Sequence, residues 1–150
     1  MNIEIDLLKY SNNIVTKVEN GVKSFWDDIR KANYILTPEE TVRQLLIQYL
    51  TLEVKYPKNK IAVEKKIMVL GNAKRFDVVV FEKNGNLPFM LIECKAPNVP
   101  ISQETLSQVS AYNFSIKAPY LVVSNGLETH CYAINFEQHT YESMSEFPNY

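Results

Sequence analysis

Hydrophobic spacing changes period along the chain. From Ile61 to Val69 it is two: Ile61, Val63, Lys65, Ile67 and Val69 fall on one face and Ala62, Glu64, Lys66 and Met68 on the other, which predicts a strand. Apolar runs from Phe76 to Phe81 and from Pro88 to Lys95 predict a second and a third strand around an Asn84-Gly85 turn, with Pro97 and Pro100 ending the third. Upstream the period is helical, with Val42, Leu45, Leu46, Tyr49 and Leu50 forming one buried stripe. Thr37-Pro38-Glu39-Glu40 starts this helix: Thr37 is the N-cap, Pro38 takes the first helical position and Glu40 closes a capping box. On the helical wheel Glu39 lies at the edge of the stripe and Glu40 nearly opposite it, so the acid expected to point inward is Glu39.

A second helix starts near Ser102, with Leu106, Val109 and Asn113 on one stripe and Gln108 and Tyr112 four apart beside it. Tyr120 to Val123 and His130 to Ile134 read as further strands around Ser124-Asn125-Gly126. The N-terminal region holds short β-prone runs (Ile3 to Leu8, Ile14 to Val18, Val22 to Trp26, Tyr34 to Leu36) broken by Ser11-Asn12-Asn13 and Asn20-Gly21, so one or two hairpins are expected, with Trp26 as a core anchor. Helix, three strands, helix and strand make a mixed α/β layer structure. The expected division is 1–36 as N-terminal strands, 37–135 as core and 136–150 as a C-terminal extension of one domain.

At 150 residues, 46% hydrophobic and 22% charged, the chain can bury one core, which excludes disorder or coiled coil as its main character. Cys94 and Cys131 show no zinc-ligand spacing and cannot form a disulfide framework, which fits a reduced, cytoplasmic setting. Charged residues near the N-terminus argue against a signal peptide, and no apolar run is long enough for a membrane span. Four glycines, at 21, 71, 85 and 126, make neither a phosphate-binding loop nor a dinucleotide turn, so no nucleotide motor is encoded. The net charge of -1 conceals a split. Residues 55–75 carry seven Lys or Arg against one acid, and residues 127–150 carry four glutamates with no Lys or Arg. Such a split suits one face to a polyanion, although a solvated mixed surface gives the same count.

Chemistry enters with the acids inside apolar strands. Asp77 interrupts Phe76 to Val80, and Glu93 interrupts Leu91 to Cys94; a carboxylate so placed needs a partner or a metal. Glu93 and Lys95 share a strand face. Asp77 joins that face only if the hairpin loop has an odd length; a three-residue Lys83-Asn84-Gly85 loop pairs Asp77 with Leu91, diagonal to Glu93. Two carboxylates suit a hard divalent cation, Mg²⁺ or Mn²⁺, and a nearby lysine suits phosphodiester hydrolysis. A structural Asp-Lys-Glu cluster satisfies the same spacing.

Asp77 followed by Glu93-Cys94-Lys95 resembles the D…ExK signature of the PD-(D/E)XK nuclease superfamily. Across about residues 24–149, Leu36-Thr37-Pro38-Glu39-Glu40, Val42-Arg43-Gln44, Ala62-Val63-Glu64-Lys65, Glu93-Cys94-Lys95-Ala96-Pro97, Ala118-Pro119-Tyr120-Leu121-Val122-Val123 and Ser124-Asn125-Gly126 resemble the N-terminal nuclease domain of type I restriction enzyme R subunits and its small stand-alone bacterial relatives. The resemblance implies a restriction-endonuclease-like αβββαβ core and a metal-dependent DNA nuclease. It assigns Asp77 and Glu93 as metal-binding acids, Glu39 as a further metal-site acid and Lys95 as the catalytic lysine. Gln108 and Tyr112 match the QxxxY pattern that borders the active site and contacts substrate, which places Gln108 among the expected catalytic residues as well. Lys65, Lys66, Lys74 and Arg75 are the basic residues expected along DNA. Glu64 either approaches the site or pairs with Lys66 or an arginine. Phe76 stands where the superfamily name has proline. The helicase of type I R subunits is missing, so a separate helicase or restriction-modification subunit is an expected partner.

Two other readings compete with a nuclease. One is a DNA-binding or assembly module that retains the fold without activity. The other is a structural protein acting through contacts, for instance as a homodimer through its aromatic C-terminal end, although packing of those rings on the core is the commoner outcome.

Overall fold

The computed structural model describes residues 1–150. An N-terminal antiparallel meander consists of β1 (Thr16–Glu19), β2 (Val22–Asp27) and β3 (Ala32–Ile35). It leads into helix α1 (Pro38–Leu52), strands β4 (Ile61–Val69), β5 (Asn72–Phe81) and β6 (Pro88–Cys94), and helix α2 (Gln103–Ile116). Strands β7 (Tyr120–Ser124), β8 (Thr129–Asn135) and β9 (Thr140–Met144) follow. Strands β4 to β9 form one sheet in sequence order, antiparallel except for the β6–β7 pair, which α2 joins as a parallel crossover. The stretch from α1 to β7 thus has the expected element order.

Two cores sandwich the sheet. Val42, Leu46 and Leu50 of α1 pack on Val78, Val80, Met90, Ile92 and Val122. Val109 of α2 packs on the other face, with Phe76, Val79, Leu91 and Leu121. Burial on both faces explains why the central strands read as unbroken apolar runs. No helix is long and apolar enough to cross a membrane.

Several details differ from the sequence reading. The run from Ile3 to Leu8 is not a strand: Leu7–Asn13 forms a 3-10 turn that buries Leu7 and Tyr10 in the α1-side core. Trp26 is 47% exposed, and its neighbour Phe25 is the buried ring of β2. Strand β5 begins at Asn72, four residues before its apolar run, because backbone pairing with β4 carries the polar segment. Strand β9 also lies in what the sequence presented as an extension. The alternation of β4 breaks at Glu64, which has φ +52 and no ladder partner; Ile61 and Val63 face the α1-side core, whereas Ile67 packs on the other.

The N-cap is as expected, with Thr37 Oγ1 accepting from the Glu40 amide at 3.1 Å. Only half of the capping box forms. The Glu40 carboxylate turns instead to Arg30 and Arg43, both at 2.7 Å. The wheel misplaced this acid because it treats one helix face as solvent, and here the N-terminal meander covers that face: Asp27 accepts from Gln44 Nε2 at 3.1 Å. Glu40 is buried, and Glu39 keeps 45% of its side chain exposed.

Candidate active site

Strands β5 and β6 part at the site. Their ladder runs from Val80↔Met90 through Val78↔Ile92 and stops, so the next residues, Asp77 and Glu93, stand across from each other at the mouth of the split. The register arises differently from the expected three-residue loop. The Glu82 amide bonds the Leu87 carbonyl at 2.9 Å, closing a four-residue loop, and a bulge shifts the pairing between Val80 and Phe81. Loop and bulge together restore the parity of the odd loop and bring Asp77 opposite Glu93 rather than Leu91. Ladder hydrogen bonds end here, and Asp77 Oδ2 takes over by accepting from the Cys94 amide at 2.6 Å.

Lys95 continues the chain beyond β6, its amide held by the Ser124 carbonyl at 2.8 Å, and its Nζ lies 3.2 Å from Glu93 Oε1. The Ser124-Asn125-Gly126 turn supports this backbone. Asn125 Oδ1 accepts from the Leu127 and Glu128 amides, and its Nδ2 donates to Val99 in the loop after β6. Gly126 has φ +86, and a Cβ there would lie 3.1 Å from Val42 of α1, so glycine permits both the turn and the close approach.

The proximity of these groups shifts their pKa values together. Burial, then the Asp77 charge, push the Glu93 pKa up to about 7, with Lys95 opposing the shift. Glu39 is also raised, first by burial and then by Asp77. Burial alone lowers the Lys95 pKa, but Glu93 beside it produces a net rise, so the ammonium stays charged. Burial pushes the Cys94 thiol far up, which removes it as a nucleophile.

The residue that the sequence reading missed is Arg43. Its buried guanidinium lies 3.0 Å from Asp77 Oδ1, 2.7 Å from Glu40 and 3.7 Å from Glu64. Behind it Arg30 binds Asp27 at 2.6 Å, Glu40 at 2.7 Å and Glu64 at 3.4 Å, and its guanidinium stacks 3.5 Å from the Tyr34 ring centre. Glu64 therefore both approaches the site and pairs with arginines. Arg43 sits three and four residues after Glu40 and Glu39, a spacing at which helical side chains meet, and that was the available signal.

The remaining candidates divide. Gln108 Nε2 lies 3.5 Å from the Tyr112 hydroxyl, and the Tyr112 ring meets the edge of Phe76, the neighbour of Asp77. Lys74 Nζ lies 5.0 Å over Tyr112. Lys65, opposite Phe76, shares the α2 face with Lys74, while the facing pair Lys66 and Arg75 points to the other side.

Around the site, six carboxylates stand with three cations: Arg30 and Arg43 bind Asp27, Glu39, Glu40, Glu64 and Asp77 in one network, and Lys95 pairs with Glu93 beside it. Excess negative charge and purely oxygen donors fit Mg²⁺ or Mn²⁺. No three His, Cys, Asp or Glu side chains close into a cage, a feature compatible with Mg²⁺, which keeps several waters and takes one or two carboxylates.

A family model described as "Type I restriction enzyme R protein N terminus" matches residues 38–148. No curated protein matches the sequence. Among solved structures, a fragment described as an HsdR subunit of a type I restriction enzyme from Vibrio vulnificus YJ016 superposes with a TM-score of 0.53 at 19% identity. The match covers 76% of this chain and only 24% of that one, and it shows a shared fold. With the family model spanning most of its length, the chain belongs to the type I restriction enzyme R protein N-terminal family.

Proposed function

We propose that this protein is a metal-dependent DNA nuclease of the PD-(D/E)XK type, with Asp77, Glu93 and Lys95 as its reactive centre. The observation that carries the reading is the convergence of these three groups where β5 and β6 split. Asp77 and Glu93, with Glu39 at the rim, would hold Mg²⁺ or Mn²⁺. When bound, such an ion polarises a phosphodiester and favours ionisation of an attacking water. Lys95 keeps its proton and donates hydrogen bonds to the phosphate or the nucleophile. Arg43 fixes one Asp77 oxygen, and the Cys94 amide fixes the other. Gln108 and Tyr112 contact the nucleic acid beside the centre, and Lys65, Lys66, Lys74 and Arg75 meet its phosphates. The family name points to a restriction system, in which separate motor or restriction-modification subunits would be partners.

The test is incubation of purified protein with plasmid DNA and Mg²⁺ or Mn²⁺. Nicking or cleavage is expected, and Asp77→Ala, Glu93→Ala and Lys95→Ala should each abolish it while the fold is retained by circular dichroism. Cleavage that persists in all three would overturn the assignment. A second reading, a DNA-binding module without cleavage, draws on the pairing of Asp77 with Arg43 and of Glu93 with Lys95, which partly satisfies the acids without an ion. Calorimetric titration with Mn²⁺ separates the two, because the module would take up no metal.

A further inference from the structure

Strand β5 has a neighbour on both sides only from Val78 onward; from Asn72 to Phe76 it pairs with β4 alone. The outer half of this pair is therefore a two-stranded arm. One face, with Ile67, Lys74 and Phe76, rests on α2. The other presents Lys66, Met68, Ala73 and Arg75, all exposed. Lys66 and Arg75 stand directly opposite each other, a like-charge pairing that works against the sheet. Neither they nor Lys65 and Lys74 form a salt bridge, although seven of the chain's other charged side chains gather in one network.

The tip is more unusual. Leu70 and Gly71 form a two-residue turn between Val69 and Asn72, with φ of +50 and +81. Turns of this kind favour Asn-Gly, because a branched side chain is strained at positive φ. Leu70 occupies that position while 87% exposed, and Met68 beside it is 65% exposed. A strained, solvated leucine at the end of a cationic ribbon has a specific chemical complement: a polyanion with an apolar interior. Duplex nucleic acid supplies phosphates for the cations and stacked bases for the tip.

We infer that the β4–β5 arm is a DNA-deforming element in which Leu70, backed by Met68, wedges into a base step while Lys66 and Arg75 hold the flanking phosphates. This rests on DNA as the substrate in the proposed function, but not on cleavage. Leu70→Asn tests it, because Asn-Gly suits the turn: the variant should melt at a higher temperature than the wild type yet bind DNA less well. The probe is a short duplex carrying 2-aminopurine, titrated with the full chain in EDTA. Wild type should raise the fluorescence as a base unstacks, and Leu70→Asn should bind about tenfold more weakly without that rise. The Lys66→Ala/Arg75→Ala double variant should lower the slope of log affinity against log salt by about 2. Unchanged affinity and fluorescence in Leu70→Asn, an unchanged salt slope, or no duplex binding by the wild type would overturn the inference, the last pointing to a protein partner for the tip. Binding and unstacking without cleavage in Mg²⁺ would remove the nuclease reading and leave the arm standing. Cleavage with a tip-independent signal would do the reverse.

Discussion

Arg43 is the residue on which the site turns, because it neutralises Asp77 and Glu40 with almost no access to solvent. Removing it leaves Asp77 without its ion-pair partner and Glu40 with Arg30 alone, a loss of about 3 kcal/mol for a buried pair. Arg43→Met, which keeps most of the aliphatic volume, should therefore lower the urea midpoint of unfolding clearly. Glu93 carries the pH dependence. Its folded pKa of about 7 exceeds the ordinary 4.5, so the native state binds more protons than the unfolded chain between those values. The Glu93 contribution to stability of the metal-free protein, fully present below pH 4.5, is lost as pH rises through about 7. A divalent cation competes with that proton, so the increase in melting temperature produced by Mn²⁺ should grow from pH 5 to pH 8. Glu93→Gln should flatten the profile; a profile that stays as steep would remove Glu93 from the proposed metal site. Asp77, Glu93 and Lys95 were legible as candidates because acids inside apolar strands demand an explanation. Arg43 carries no such signal in the sequence, since its significance depends on where Asp77 lands after the chain has folded.

At the level of elements, the meander β1–β3 and helix α1 act as one unit held by buried charge. Arg30 joins Asp27, Glu40 and Glu64, so a single side chain ties the end of β2 to α1 and to β4. Arg30→Ala should strand Asp27, leave Glu40 and Glu64 to Arg43 alone, and loosen the meander before the main sheet unfolds. Hydrogen exchange should then quicken across 16–35 while β5 to β7 stay protected; uniform exchange throughout would show that the meander is held by apolar contacts instead. Both helices, the bounds of β4 and the core strands were readable from period and capping because local sequence decides them. The four-residue loop and bulge between β5 and β6 were not: two irregularities that compensate leave the same parity as one shorter loop. The polar arm of β5 was hidden for a related reason, since Asn72 to Arg75 are held by pairing rather than by side-chain burial.

Across the whole molecule, an aromatic cluster and the proposed reactive centre occupy opposite ends of the parallel pair β6–β7. Its C-terminal end carries Glu93, Lys95 and Ser124. At the N-terminal end Phe89 and Tyr120 gather Tyr56 and Tyr150 into an aromatic cluster. The C-terminal segment closes that cluster: the Tyr150 hydroxyl donates to the Phe81 carbonyl at 2.7 Å, the Tyr56 hydroxyl donates to the Pro148 carbonyl at 2.6 Å, and Phe147 is buried against Tyr49. Tyr56 is nearly inaccessible, and burial holds its hydroxyl protonated far above the ordinary tyrosine range, so this donor is always present. Deleting Phe147 to Tyr150 uncovers Tyr56 and Phe89 and takes the partners from the buried Tyr56 hydroxyl and the half-buried Phe81 carbonyl. The deletion should cost about 4 kcal/mol of unfolding free energy, from lost aromatic burial and unmade hydrogen bonds. If the two ends are as independent as their separation along β6 and β7 suggests, the surviving folded fraction should bind Mn²⁺ with unchanged affinity. Calorimetry at a temperature where the deletion variant remains folded checks this. A parallel loss of metal affinity would mean that the aromatic end also sets the spacing between Asp77 and Glu93.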